Sequence, residues 1–288
     1  MNSFFIPNLK LSMYRFVKFP PFLLIALSAF IGFSCSSGDD DEPVVADTTI
    51  ATEFSEVNQK FEDLDNLTLA VLEESGLGAR KTETNSPDFC ASTEFVMDEA
   101  NKTIVIDFGD GCVSPNGVSR KGKIMIKYSG NLLIPSANIV TTFDGYEVNG
   151  YKVEGTRTLT NIGLDLVSST VTIAVKIENG KITWPDGGFV TINSNEVREV
   201  KLGSSGYEAT ITGTASGNSK EGSGYTAEIT EALKLSQSCI ESGVYNPTSG
   251  LIEFTYKSVK MTLDYGTGTC DKSATISYPG GVKEITFD

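Results

Sequence analysis

Over most of its length this chain alternates apolar and polar residues with a period of two. Glycine- and asparagine-containing turns, not helices, break the alternation. Thr170-Val171-Thr172-Ile173-Ala174-Val175-Lys176-Ile177 sets Val171, Ile173, Val175 and Ile177 on one side of an extended strand. Asn179-Gly180 follows this run, and Asn149-Gly150 separates Thr141–Val148 from Tyr151–Leu159. Both dipeptides supply the positive φ angles of a type I′ hairpin turn. Further alternating runs occur at Lys123–Tyr128, Glu208–Gly213, Thr226–Leu233, Leu251–Tyr256, Ala274–Tyr278 and Lys283–Phe287. No helical segment long enough for a βαβ crossover intervenes, so consecutive strands are expected to pair antiparallel. The expected fold is mainly β, a long antiparallel β-meander of roughly a dozen or more strands forming a sandwich or open barrel. Gly203–Gly206 and Gly213–Gly224 read as loops between strands. Neither ends in the Lys-Ser/Thr of a P-loop or opens a helix.

One segment has a different period. From Thr52 to Ser75, Phe54, Val57, Phe61, Leu64, Thr68 and Val71 recur at spacings of three and four. That pattern gives an amphipathic helix with one mostly apolar face. Thr52 serves as an N-cap and Gly76 as a terminator that takes φ > 0 cheaply. Glu53, Glu56, Glu62, Asp63, Glu73 and Glu74 fall on the other face. The apolar stripe is expected to dock on the β part of the chain.

Composition narrows the chemistry. The 288 residues include no histidine, which excludes Ser-His-Asp and Cys-His nucleophile systems, histidine zinc sites and a histidine general base. A formal charge of -14 opposes binding to a phosphate backbone, so no nucleic-acid partner is expected. The acid is unevenly placed: residues 35–78 hold twelve acidic residues and one lysine, Lys60. The charge therefore speaks mainly of export and of solvation near a membrane, and the β part is only mildly acidic. No cofactor is implied.

A weak internal repeat frames four of the five cysteines. Lys102–Cys112 and Lys260–Cys270 share an aliphatic residue, Asp, an aromatic, Gly, any residue and Gly, followed by cysteine. A hairpin turning near Asn101 brings Cys90 opposite Cys112. One turning near Lys257-Ser258 leaves Cys239 and Cys270 beyond its open end. These hairpins favour the disulfides Cys90–Cys112 and Cys239–Cys270, each worth ~2–4 kcal/mol. A shared metal site competes, but the wide spacings lack close Cys-x-x-Cys pairs. Asp107 and Asp264 occupy equivalent positions in the repeat and are the most tempting acid/base candidates, with Asp110 as a further oxygen ligand. A carboxylate before Gly at a strand end also simply accepts backbone hydrogen bonds, and this structural role is favoured. Trp184-Pro185-Asp186-Gly187-Gly188 reads either as a sugar-stacking tryptophan or as an ordinary turn beside a packed aromatic.

The first 34 residues describe export. Lys10, Arg15 and Lys18 precede an apolar run from Phe22 to Phe33, with no acidic residue before Cys35. That run is too short to span a bilayer core, which needs roughly twenty residues as a helix, and it matches a secretory signal peptide. Met13 is a candidate alternative start. Gly32-Phe33-Ser34-Cys35 resembles the lipobox of bacterial lipoproteins, in which the cysteine is lipidated. It departs from the common form at Gly32 and Phe33. The following Ser36-Ser37-Gly38-Asp39-Asp40-Asp41-Glu42 is similar to the acidic surface-export signals of Bacteroidetes lipoproteins. Asp47-Thr48-Thr49 also resembles a short O-glycosylation motif of the same bacteria. The Ile106–Cys112 and Pro115–Ile124 segments, with Leu263–Asp271, resemble a family of surface and outer-membrane lipoproteins of Bacteroidetes that has no agreed activity. The resemblance implies a location and an all-β body, and transfers no catalytic residue.

The expected organisation is a signal peptide at 1–34, an acidic tether at 35–50, an amphipathic helix at 51–78 and an antiparallel β domain at 79–288. The expected function is a lipid-anchored β module at the outer membrane or cell surface, non-enzymatic, that binds a protein or glycan partner. One alternative is a carrier of an apolar ligand in an open barrel, which requires a dry cavity of several hundred Å³. Another is a carboxylate-dependent polysaccharide hydrolase, which requires two carboxylates ~5–10 Å apart in a cleft.

Overall fold

In the computed structural model, residues 46–74, 87–203 and 206–287 are described. Cys35, the acidic run Asp39–Glu42, the signal peptide and Gly76 lie outside the described residues. The helix α1 spans Thr49–Glu74 and is followed by β1 (Glu94–Asp98), β2 (Thr103–Asp107), β3 (Cys112–Val113) and β4 (Ser119–Tyr128). Four long strands come next: β5 (Asn138–Val148), β6 (Tyr151–Asp165), β7 (Thr170–Thr183) and β8 (Phe189–Gly203). Then come β9 (Gly206–Asn218), β10 (Gly224–Ser236), a short helix α2 (Gln237–Glu241), β11 (Ser249–Tyr256), β12 (Val259–Thr267), β13 (Ser273–Tyr278) and β14 (Gly281–Thr286). All fourteen strands belong to one antiparallel sheet in near-sequential order, with β3 paired only to β4. The sheet path runs from β1 to β14 without closing, so the meander is an open one.

The alternation decides which face is buried. In β11, Gly250, Ile252, Phe254 and Tyr256 are buried, and the residues between them are half-exposed. Ile104, Ile106, Ile124, Ile126, Ile139, Val153, Ile192 and Leu263 continue that inner face across the sheet and are almost fully buried. The helix lies against it. Phe54 meets Phe254 and Tyr225 edge-on, with ring centroids 5.1 and 6.0 Å apart. Val57, Phe61, Leu64, Leu67 and Val71 are likewise buried. At ~1.5–3 kcal/mol per buried large apolar side chain, these contacts contribute on the order of ten kcal/mol.

The helix differs from its expected form in three ways. It starts at Thr49, where the Asp47 carboxylate accepts the Thr49 backbone N–H at 3.1 Å, so Thr52 lies inside it and is not its cap. Residues Ala46 and Thr48 are already buried, so the tether cannot extend to residue 50. Thr48, within the glycosylation-like triplet, is buried too. The described part of the helix's acidic face, Glu53 to Asp63, is at least half-buried and is not a solvent face. Among helix residues with described side chains, only Thr49 and Asn66 are exposed. Helix and sheet together form one compact unit, Pro43–Asp288, with the helix docked on the β part of the chain.

The turns divide into correct and corrected expectations. Asn149-Gly150 is a tight hairpin between Val148 and Tyr151, with φ of 49° and 80°. Lys257-Ser258 turns between Tyr256 and Val259 with φ of 49° and 65°. Asn179-Gly180 is a bulge inside β7, which runs on to Thr183. Only Asn179 has positive φ there, and Lys181–Thr183 keep pairing with both neighbours. A dipeptide that permits φ > 0 does not say whether the chain reverses or merely kinks. Gly213–Asn218 likewise belongs to β9, not to a loop, and the turn is confined to 219–223.

Bulges recur along the strands, with register shifts in β4–β5, β5–β6, β6–β7, β7–β8 and β9–β10. They bend the sheet and add twist, which lets a long meander curl over a helix. Gly122 shows why the sites are glycine: φ is +75°, and a Cβ there would sit 2.2 Å from the Gly145 carbonyl oxygen. Gly122→Ala is therefore expected to cost ~3 kcal/mol or more. At Gly109, φ is +61° with nothing within 4 Å of an added Cβ, so Gly109→Ala should cost only ~1 kcal/mol. Urea midpoints of the two variants check this difference.

Candidate functional site

The most concentrated chemistry among the described residues lies between α1 and the sheet. The region after residue 87 contains three arginines, Arg120 on β4, Arg157 on β6 and Arg198 on β8. Each points inward at an acidic residue of the helix. Arg120 holds Asp63 through both terminal nitrogens, one contact at 2.7 Å, and donates to the Tyr146 hydroxyl at 2.7 Å. Arg157 grips Asp65 through Nε, at 2.6 Å, and through Nη2. Arg198 spans Glu62, with Nη1 at 2.8 Å, and also reaches Glu196 of its own strand at 2.7 Å. Planar guanidinium against carboxylate gives paired, charge-assisted hydrogen bonds, which fix orientation as well as adding energy.

Burial changes how these groups titrate. Arg120 and Arg157 are each 1% exposed. Burial pushes the Asp65 carboxyl above its ordinary value, against the pull of Arg157. Burial pushes Glu62 up as well, but the Arg198 guanidinium outweighs it and holds Glu62 below its ordinary value. The Tyr146 hydroxyl, buried beside Arg120, is also raised. Every guanidinium in the network is already engaged by a carboxylate, so the cluster docks the helix and presents no bare cation to a ligand.

Smaller contacts hold the N-terminal half of α1. Trp184 is buried, donates from Nε1 to Glu56 at 2.9 Å, and has the Lys220 ammonium 4.0 Å from its ring centroid. Of its two readings, the packed aromatic beside a turn fits, since the ring is not open to stack on sugar. Lys220 also donates its backbone N–H to Glu53 at 3.2 Å. Gln59 donates to Asn246 at 2.8 Å.

Beside this network the helix leaves a half-open cleft of about 60 Å³, lined by Phe54, Asn58, Glu62, Arg198, Ile252 and Tyr265. That is room for a few water molecules, where a carrier would need several hundred Å³. The helix occupies the space an apolar ligand would take. A wider depression of about 400 Å³ lies on the outside, between Asp110, Gly111, Cys112, Lys121, Glu147 and Gly150. Its lining mixes the charged Asp110, Arg120, Lys121 and Glu147 with Val113, Cys112 and glycine backbone, and is not a closed apolar wall.

The remaining candidates separate cleanly. Asp107 and Asp264 lie on β2 and β12, with eight strands between them in the sheet. Their geometry matches: each Oδ1 accepts the backbone N–H two residues on, Gly109 at 2.9 Å and Gly266 at 2.8 Å. This is the turn-closing role that Asp before Gly performs, and it explains the repeat without chemistry. The Lys123 ammonium, 2.7 Å from Asp107, holds that carboxyl below its ordinary value, through its hydrogen bond first. No group of three metal-ligating side chains converges among the described residues. The cysteines pair as Cys90–Cys112 and Cys239–Cys270, with Cα–Cα distances of 6.1 and 5.3 Å.

Sequence reasoning missed Arg120, Arg157 and Arg198, and read Glu62 and Asp63 as solvent-facing. A signal was present. Arg157 shares the parity of Leu159, and Arg198 that of Val200, so both are charges on the inward side of a strand. Comparison with protein-family models, with curated proteins and with solved structures finds no match.

Removing one member of a buried pair strands its partner's charge, a cost of ~3–5 kcal/mol. Arg157→Met is expected to destabilise by that amount. The double variant Arg157→Met/Asp65→Leu should recover most of the loss, because no unpaired charge remains. Urea denaturation of the three proteins, read as a double-mutant comparison, checks the expectation.

Proposed function

We propose that the chain is a lipid-anchored β module of the bacterial outer membrane, facing outward, which binds a protein or glycan partner and carries out no reaction of its own. The carrying observation is the tip of the β6–β7 hairpin. Leu166 and Val167 are 81% and 98% exposed there, with the exposed side chains of Ile162, Leu164 and Leu202 on the adjoining strands. Exposed apolar groups gathered at one place favour a recognition surface over a solvated turn.

Topology supports the orientation. The start of α1 is tied to the β11–β12 turn by Lys257, 3.0 Å from Asp47, and to β14 by Lys283. In a sequential meander the β6–β7 turn belongs to the opposite end of the strands. A tether entering at the helix start would leave the hairpin tip facing away from the anchoring membrane. No helix among the described residues is long and apolar enough to cross a membrane. A lipid on Cys35 would supply the anchor, at ~0.8 kcal/mol per buried methylene. The acidic residues Asp39, Asp40, Asp41 and Glu42 would supply the export signal.

Three experiments test the proposal. Cys35→Ala is expected to release the protein from membranes, and continued membrane retention would sink the lipid anchor. Replacing Asp39–Glu42 by alanine should remove surface protease accessibility in intact cells. Leu166→Asp/Val167→Asp, remote from the core, should leave the melting temperature unchanged. It should abolish capture of the partner or glycan that the wild-type protein retains.

A further inference from the structure

Among the described residues the sheet ends in two edge strands, β1 and β14, each paired on one side only, and they are built differently. At one end, β14 carries the exposed charges Lys283 and Glu284, which protect an edge against pairing. At the other end β1 pairs only with β2, and its sequence is Glu94-Phe95-Val96-Met97-Asp98. Phe95, Val96 and Met97 are 43%, 59% and 40% exposed. Three consecutive large apolar residues on both faces of an open edge are what edge protection normally removes.

The register shows what would fit beside them. On the inner face Phe95 stands opposite Ile106 and Met97 opposite Ile104; both isoleucines are fully buried, so the apolar face continues to β1 and becomes exposed only there. Phe95 also meets Phe89 edge-on at 5.0 Å. On the outer face three rows cross β1, β2 and β4. Val96 continues into Val105 and Met125, Glu94 into Asp107 and Lys123, and Asp98 into Thr103 and Lys127. Each acidic row is thus answered by a lysine two strands away, and Lys123 reaches Asp107 at 2.7 Å. On the open side of β1 the rows end in Glu94 and Asp98.

A second copy of β1 is a poor occupant. Antiparallel pairing centred on Val96 would set Glu94 opposite Asp98 at both ends, and like charges directly opposite are destabilising. The complementary strand has a basic residue at each end and three apolar residues between. The chain's own Lys123-Ile124-Met125-Ile126-Lys127 has this pattern. We propose that the β1 edge accepts, by strand addition, an extended segment of a partner protein in which three apolar residues lie between two basic ones. Main-chain hydrogen bonds supply affinity, and the alternating pockets and end charges supply selectivity. This surface depends neither on the lipid anchor nor on the β6–β7 tip.

Fluorescence anisotropy with the full chain tests it, using labelled Gly-Lys-Ile-Met-Ile-Lys-Tyr and its counterpart Gly-Glu-Ile-Met-Ile-Glu-Tyr as probes. The lysine peptide is expected to bind and the glutamate peptide to bind at least about tenfold more weakly. Glu94→Lys should weaken the lysine peptide about five- to tenfold and improve the glutamate peptide. Val96→Lys should abolish binding with an unchanged melting temperature, and Leu166→Asp/Val167→Asp should leave binding intact. Equal affinity for the two peptides, no binding of either, or indifference to Glu94→Lys would overturn the proposal. So would a concentration-dependent dimer that Val96→Lys dissolves, since that would make β1 a self-pairing edge.

Discussion

The structure depends on a helix whose acidic side chains Glu62, Asp63 and Asp65 turn toward the sheet and pair with its arginines. An unclosed sheet of this length has an inner surface too wide to be covered by its own side chains, and α1 fills it. Aliphatic and aromatic residues supply the burial energy, but apolar contact alone would let the helix slide or rotate. The three arginine pairs remove that freedom, because a planar guanidinium gripping a carboxylate on both nitrogens is satisfied in one orientation only. Arg120, Arg157 and Arg198 act from three separate strands on a single turn of the helix, Glu62 to Asp65, which pins its depth and its roll. Buried pairs of this kind add little net stability over a well-packed apolar substitute. Their contribution here is registration.

The same packing decides what the interior can do. With α1 in place, the inside of the sheet offers a cleft of about 60 Å³, and the charged groups lining it are occupied with one another. The surfaces proposed for recognition accordingly lie outside the interior, at the β6–β7 tip and the β1 edge. The two disulfides secure the segments flanking the β1–β2 and β11–β12 hairpins. The glycine bulges set the curvature that makes the enclosure possible, and they sit where one backbone passes too close to another for any Cβ.

Much of the β part was legible because its signals are local. Alternation at Thr170–Ile177, the turns at Asn149-Gly150 and Lys257-Ser258, and the hairpins that bring the cysteines together all arise within a few residues. Asn179-Gly180 shows where that reasoning stops. The dipeptide reports a positive φ, and whether it becomes a reversal or a bulge depends on whether the neighbouring strands continue past it. Asp107 and Asp264 show the converse, where the plain local role suffices and the apparent chemistry of a repeated carboxylate dissolves.

By itself the amino-acid sequence determined the antiparallel meander, the helix, the cysteine pairing and the absence of histidine chemistry, since each follows from residue identity and short-range spacing. Only the tertiary structure decided where the acidic face of the helix points. Glu62, Asp63 and Asp65 are ordinary surface residues for an isolated amphipathic helix. They become interior ones because three arginines, separated by long stretches of chain, arrive on the same inward face. Charge counted along the sequence suggested solvation. Counted in space, the charges of Glu62, Asp63 and Asp65 are answered by arginines across the interface between helix and sheet, because pairing in a buried environment is a property of neighbours and not of composition.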